Sequence, residues 1–209
     1  MLVLGLDTCL ATCSVAVLED GAVRGFASES MARGHQERLA PMAREVMAKA
    51  GLGFDALDRI GVTVGPGSFT GLRVGVAFAK GLSLALDRPA VGIGTLEAMA
   101  AGIDGLVFPA IDARRGQLYL QAFEDGHALM APDALTAGDA TARILELGLG
   151  RPFTIVGSGA PLLAGVSPFS QILDAEGCDA RAVARLAAAR APGPLKPLYL
   201  RAPDAKLPA

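Results

Sequence analysis

The 209-residue chain carries 19 Lys and Arg against 21 Asp and Glu, a formal net charge of −2, and is 52% hydrophobic. That length buries the core of one domain or of two small lobes, and the near-neutral charge excludes a globally basic nucleic-acid binder. Three cysteines, Cys9, Cys13 and Cys178, make no disulfide framework and read as small buried apolar residues in a reducing cytoplasm.

In chain order, residues 2–6 form a continuous apolar run, the pattern of a strand covered on both faces. Its start lacks the basic residues of a signal peptide, and Asp7 interrupts it. Residues 13–18 read as a second strand, and Asp20-Gly21 as a hairpin turn into a third at 22–28. The chain thus opens on a meander with Asp7-Thr8 in its first turn. Residues 36–50 predict an amphipathic helix, with Leu39, Met42, Ala43, Val46, Met47 and Ala50 at helical spacing and Gly51 at its end. A strand is expected at 60–64. Residues 72–86 predict a helix apolar nearly all round, hence mostly buried. No apolar stretch reaches the roughly 18 residues of a bilayer span, so no membrane contact and a cytoplasmic location are expected. A short strand at 90–93 and a short helix at 96–101 follow.

Between the strand at 60–64 and its helix lies Gly65-Pro66-Gly67-Ser68-Phe69-Thr70-Gly71-Leu72-Arg73. A glycine-rich turn feeding a helix N-terminus is a physical recipe for holding an anion, and Ser68 and Thr70 suit an N-cap. Gly71 is not followed by Lys-Ser/Thr, so the segment is no Walker A loop. Gly71, Gly75, Ala79 and Ser83 recur every four residues, a stripe that permits close packing either inside the fold or against another helix.

A second unit begins near Gly102. Residues 106–112 and 117–123 read as a strand pair around the turn Arg114-Arg115-Gly116. A helix is expected at 139–147, a strand at 153–156 leading into Gly157-Ser158-Gly159-Ala160, and a helix at 179–190 capped by Asp179. The Pro-rich tail 192–209 cannot be regular throughout.

The meander with its acidic turn, the βα units and a second lobe opening around Asp112 resemble the actin, sugar-kinase and Hsp70 superfamily. Within it, the opening Met1-to-Thr8 run, Gly34-His35-Gln36-Glu37-Arg38-Leu39-Ala40-Pro41, the Gly65-to-Arg73 segment, Asp112-Ala113-Arg114-Arg115 with Gln117-Leu118-Tyr119, and Leu198-Tyr199-Leu200-Arg201 resemble, in order, motifs of the TsaB (YeaZ) family. The resemblance implies an α/β, two-lobed actin-like ATPase (ASKHA, ribonuclease H-like) fold with mixed sheets flanked by helices. An N-terminal lobe over 1–102 carries partner helices. A smaller lobe covers 103–209, its tail 192–209 packing back.

The resemblance also implies a bacterial subunit needed to make N6-threonylcarbamoyladenosine beside the tRNA anticodon. In that family the paralogue TsaD holds the metal and transfers the group. TsaB pairs with it through the first two helices in a four-helix bundle, and the TsaE ATPase docks on the pair. The chain is therefore read as a non-catalytic scaffold that requires no cofactor of its own, keeps at most weak residual nucleotide binding, meets tRNA through the complex, and is also capable of forming a homodimer. No catalytic residue and no metal ligand is assigned: only His35 and His127 are present, Leu39 stands where a His-x-x-x-His pair needs its second histidine, and no Cys/His/Asp cluster has ligand spacing. The nucleotide-like pocket expected from the superfamily comprises Asp7, Thr8, Gly67, Ser68, Asp112, Gly157 and Gly159, with Ser158 where relatives more often have Asp. The expected partner interface comprises His35, Leu39, Met42, Val46, Gly71, Arg73, Gly75 and Ala79. The competing reading is an autonomous enzyme, either a glycoprotease-like (M22-type) metallopeptidase or a nucleotide phosphotransferase.

Overall fold

The computed structural model describes residues 1–201. β1 (Leu2–Asp7), β2 (Thr12–Glu19) and β3 (Ala22–Ser30) form the antiparallel meander. α1 (His35–Lys49) leads to β4 (Arg59–Thr63), and α2 (Phe69–Leu86) leads to β5 (Ala90–Ile93), both strands parallel to β1. The sheet order is β3-β2-β1-β4-β5. α3 (Thr95–Ala100) then connects to the second unit.

Period-2 alternation assigns the two faces. Leu2, Leu4, Leu6, Val15 and Val17 meet Leu39, Met42, Val46 and Met47 of α1 on one side. Val3, Ala16 and Leu18 point to the other, where Val183, Ala184 and Ala187 of α5 (Ala180–Ala189) lie. So β1 is buried at all six positions, as its unbroken apolar run implies. Helix α5 comes from the C-terminal half of the chain yet packs on the first sheet. Gly5 and Gly61 make this close approach possible: a Cβ on Gly5 would lie 2.2 Å from Ala180 O, and one on Gly61 2.6 Å from the Ala187 Cβ.

The second sheet contains β6 (Leu106–Asp112), β7 (Gln117–Leu120), β8 (Phe123–Glu124), β9 (His127–Ala128), β10 (Asp133–Thr136), β11 (Phe153–Val156) and β12 (Ser170–Leu173), with α4 (Ala137–Gly148) after β10. Its main path is β10-β7-β6-β11-β12, antiparallel twice and then parallel twice. This is the strand order and direction pattern of the first sheet, repeated. The two-lobed actin-like fold expected from the sequence is the fold of the chain.

The expected single strand at 117–123 is divided by one residue of its neighbour. Leu118 to Leu120 and Phe123–Glu124 pair with β6 in one continuous register, but the ladder lapses around Pro109, which has no N–H to donate. α2 begins at Phe69, three residues earlier than the apolar pattern suggests, because Ser68 caps it by accepting from the Gly71 N–H. At 18 residues α2 is long and apolar enough, by length and composition, to cross a bilayer, and 28% of it is buried. That corrects two expectations: no apolar helix of this length was foreseen, and the helix was expected to be mostly buried. In the described part of the tail, Pro192, Gly193 and Pro194 are exposed, whereas Leu195 packs with Cys9, Leu72 and Val76 and the Leu198 N–H donates to Val64 O. The remainder of the tail, 202–209, lies outside the described residues.

Candidate functional site

The turn between β1 and β2 is closed from within. Asp7 is fully buried. Its Oδ1 accepts from Thr63 Oγ1 at 2.7 Å and from the Cys9 N–H at 3.1 Å, while Oδ2 accepts from the Cys178 N–H at 3.2 Å. Burial pushes its carboxyl above the usual aspartate range, and the three hydrogen bonds only partly oppose this. Buried Thr8 donates from Oγ1 to Gly71 O at 2.7 Å. The Ser68 N–H donates to Cys9 O at 2.7 Å. A Cβ on Gly67 would lie 2.4 Å from Cys9 O, one on Gly71 2.0 Å from Thr8 O, and one on Gly75 2.6 Å from Thr8 Oγ1. The glycines therefore seat α2 directly on this turn.

The second sheet has the same device at the equivalent place. A Cβ on Gly157 would lie 2.4 Å from Ala110 O, and one on Gly159 2.7 Å from Leu118 Cδ2. The Gly159 N–H donates to Ala110 O at 2.9 Å. Asp112 is more open than Asp7. It accepts the Arg114 N–H at 2.8 Å, and its own N–H donates to Ser158 Oγ at 3.2 Å.

Between the lobes runs a cleft of about 1250 Å³. Gly67, Ser68 and Asp112 line it, whereas Asp7, Thr8, Gly157 and Gly159 lie behind its walls. The pocket expected from the sequence is thus only partly assembled. The groups that a phosphate or its hydrated cation would need are already engaged inside the fold: the Cys9 amide on Asp7 Oδ1, the Ser68 amide on Cys9 O, and the second Asp7 oxygen on the Cys178 amide. The first turn does not fit a triphosphate held there. Among the described residues, no three His, Cys, Asp or Glu side chains stand close enough to share a metal ion.

The interface residues expected from the sequence are mostly turned inward. Leu39, Met42 and Val46 are at most 1% exposed because their stripe packs on β1 and β2. Gly71, Gly75 and Ala79 face the β1–β2 turn and β4. The His35 Nε2 sits 3.1 Å from Leu10 O and 3.2 Å from Thr12 O. Carbonyls only accept, so this nitrogen carries the proton and ties α1 to the turn. Only Arg73 of the set is exposed. The outward face of α2 instead consists of Arg73, Ala77, Lys80, Gly81 and Leu84, with Leu84 87% exposed. The small-residue stripe gave no signal of this face, because α2 is apolar on both sides. Phe69 and Tyr199, 38% and 43% exposed and stacked on each other, also went unselected.

The three cysteines are free and buried. Burial, and next the charge of Asp7, pushes the Cys9 and Cys13 thiols up to about 12 and raises Cys178 as well. All three are expected to react with Ellman's reagent only after denaturation. Rapid labelling of the native chain would show that the packing around the β1–β2 turn is open.

The sequence model described as "TsaD: tRNA N6-adenosine threonylcarbamoyltransferase" matches residues 16–160. The chain is 36% identical over 129 residues to the tRNA threonylcarbamoyladenosine biosynthesis protein TsaB of Escherichia coli (strain K12), covering 59% of this chain and 55% of that protein. The match therefore spans little more than half of that relative's length. An uncharacterized protein of Mycobacterium bovis is 34% identical over 206 residues, covering 98% of this chain and 93% of its own. The solved structure of YeaZ from Pseudomonas aeruginosa superposes with a TM-score of 0.80 at 29% identity, over 95% of this chain and 99% of that one.

Proposed function

Because the chain belongs to the TsaB (YeaZ) family, we propose that it serves the biosynthesis of N6-threonylcarbamoyladenosine in tRNA as a non-catalytic subunit that pairs with a TsaD-type paralogue. The observation that carries the pairing is α2. It is apolar along its length, yet only 28% of it is buried. Ala77, Gly81 and Leu84 stand on its outward side, where small residues let a second helix approach closely. α1 runs beside it, with Arg44 and Ala48 exposed and Ala40 and Pro41 partly exposed on its own outer side. Two adjacent helices with small outward residues are half of a four-helix contact. The ATP and metal of the reaction are assigned to the partner subunits, with a TsaE-type ATPase docking on the assembled pair and tRNA met through the complex.

The test is co-expression with the TsaD-type subunit of the same organism and sedimentation of the purified chains. A heterodimer is expected. Leu84→Asp is expected to weaken it by about 30-fold or more, since it buries a charge at the centre of the contact. The isolated variant keeps its melting temperature, because Leu84 touches little of its own lobe. Absence of a heterodimer, or a Leu84→Asp variant that still pairs with wild-type affinity, removes this face from the mechanism.

A further inference from the structure

At the start of α2, three side chains from two distant segments meet. The Arg73 guanidinium carbon lies 3.7 Å from the centroid of the Phe69 ring. The Phe69 and Tyr199 rings are 5.4 Å apart and tilted by 39°. Arg73 Nε donates to Tyr199 Oη at 3.4 Å. Tyr199 is held in place by its own segment: Leu195 packs with Cys9, Leu72 and Val76, and the Leu198 N–H donates to Val64 O at 2.7 Å. Among the described residues, Arg73 has no carboxylate partner.

Arg73 shares the outward face of α2 with Ala77 and Leu84, lying four and eleven residues before them along the helix. A second subunit laid on that face covers Arg73. A guanidinium covered without a counter-charge is strongly unfavourable, so the covering surface must bring one. One face of the guanidinium is already against Phe69, which leaves its edge nitrogens for a planar, two-oxygen acceptor. We propose that Phe69, Arg73 and Tyr199 form a clamp at the end of the α2 docking face that receives an Asp or Glu carboxylate of the partner subunit. The C-terminal segment thereby becomes part of the docking surface. This inference rests on the pairing through α2 proposed above.

The experiment measures the affinity of the TsaD-type subunit of the same organism for wild-type chain, Arg73→Gln, Arg73→Lys, Tyr199→Ala and Leu84→Asp across a salt series. Each isolated variant is first melted to establish that it is folded. Arg73→Gln is expected to weaken pairing about tenfold or more and to flatten its salt dependence. Arg73→Lys should retain the salt dependence with intermediate affinity, and Tyr199→Ala should weaken pairing several-fold, about 3- to 10-fold. If Leu84→Asp abolishes pairing while Arg73→Gln leaves affinity and salt slope unchanged, the clamp is wrong and the α2 reading stands. If none of the variants matters, the α2 reading itself has failed. If Arg73→Gln instead abolishes binding of a short single-stranded RNA and spares the subunit, the acceptor is a phosphate and the carboxylate assignment is overturned.

Discussion

Gly71→Ala is expected to lower the melting temperature of the isolated chain by about 10 °C, or to prevent folding. Helix propensity alone predicts the opposite sign, a gain of about 1 kcal/mol when an interior helical glycine becomes alanine. Here the added Cβ would lie 2.0 Å from the Thr8 carbonyl oxygen, a distance no real contact reaches. Thr8 cannot retreat. The next residue, Cys9, is fixed on both sides, its N–H on Asp7 and its carbonyl on the Ser68 N–H. If α2 moves outward instead, the buried bond from Thr8 Oγ1 to Gly71 O breaks. Overpacking costs about 1–3 kcal/mol and an orphaned buried hydroxyl about 1–3 more, so roughly 4 kcal/mol is lost against the 1 gained. For a domain of this size each kcal/mol shifts the midpoint by about 2–4 °C. Gly81→Ala on the same helix is the control. Nothing lies within 4 Å of its added Cβ, so it should be neutral or slightly stabilising. Equal melting temperatures for the two variants would show that the turn yields to the helix.

Local sequence carried those parts of the fold that depend on local physics. The Asp20-Gly21 turn takes positive φ at both residues, 48° and 84°, as a tight hairpin demands. The α1 stripe and the two-sided burial of β1 followed from period alone. The duplication did not, because the second meander is interrupted by β8 and β9, and two strands of the second sheet, β10 and β12, are four residues each, too short for a pattern. Nor did the position of α5. Its Ala-rich surface fits any close-packed face, and the glycines that select it are Gly5 and Gly61, far away in the chain.

The candidate site divides along the same line. A glycine-rich turn before a helix is read from sequence as an anion cradle because its local geometry allows one. Whether its amides are free is decided by contacts across the fold. The donors on Asp7 come from residues 2, 56 and 171 positions away. No window of sequence contains them. In both lobes the glycine segment packs on the end of the first strand, over Thr8 and Cys9 in one and over Ala110 in the other. The shared role of the two segments is close packing of a connection onto its sheet. This leaves the outer side of α2, exposed among the described residues at Ala77, Lys80, Gly81 and Leu84, as the surface with unused recognition capacity.

Asp7 gives the second large effect and one with a defined pH signature. Asp7→Ala removes the acceptor for the Thr63 hydroxyl and for the Cys9 and Cys178 amides, all buried. An orphaned buried donor costs about 1–3 kcal/mol, so the melting temperature should fall by about 10 °C or more at neutral pH. Asp7→Asn keeps an oxygen for Thr63 and Cys9 and places its amide against the Cys178 N–H, a smaller loss. The two side chains then differ mainly in charge. Burial raises the Asp7 carboxyl in the folded chain above its unfolded value of about 3.9, so the folded state holds the proton where the unfolded state has released it. Its stabilising contribution is complete below the unfolded value and is lost as pH rises through the folded one. Melting curves of both chains from pH 7 down to pH 4 read this directly, since other carboxylates titrate alike in each and cancel in the difference. Wild type should gain on Asp7→Asn as pH falls. If the difference stays flat, or wild type loses ground on acidification, the three hydrogen bonds outweigh burial and Asp7 is held as a buried anion.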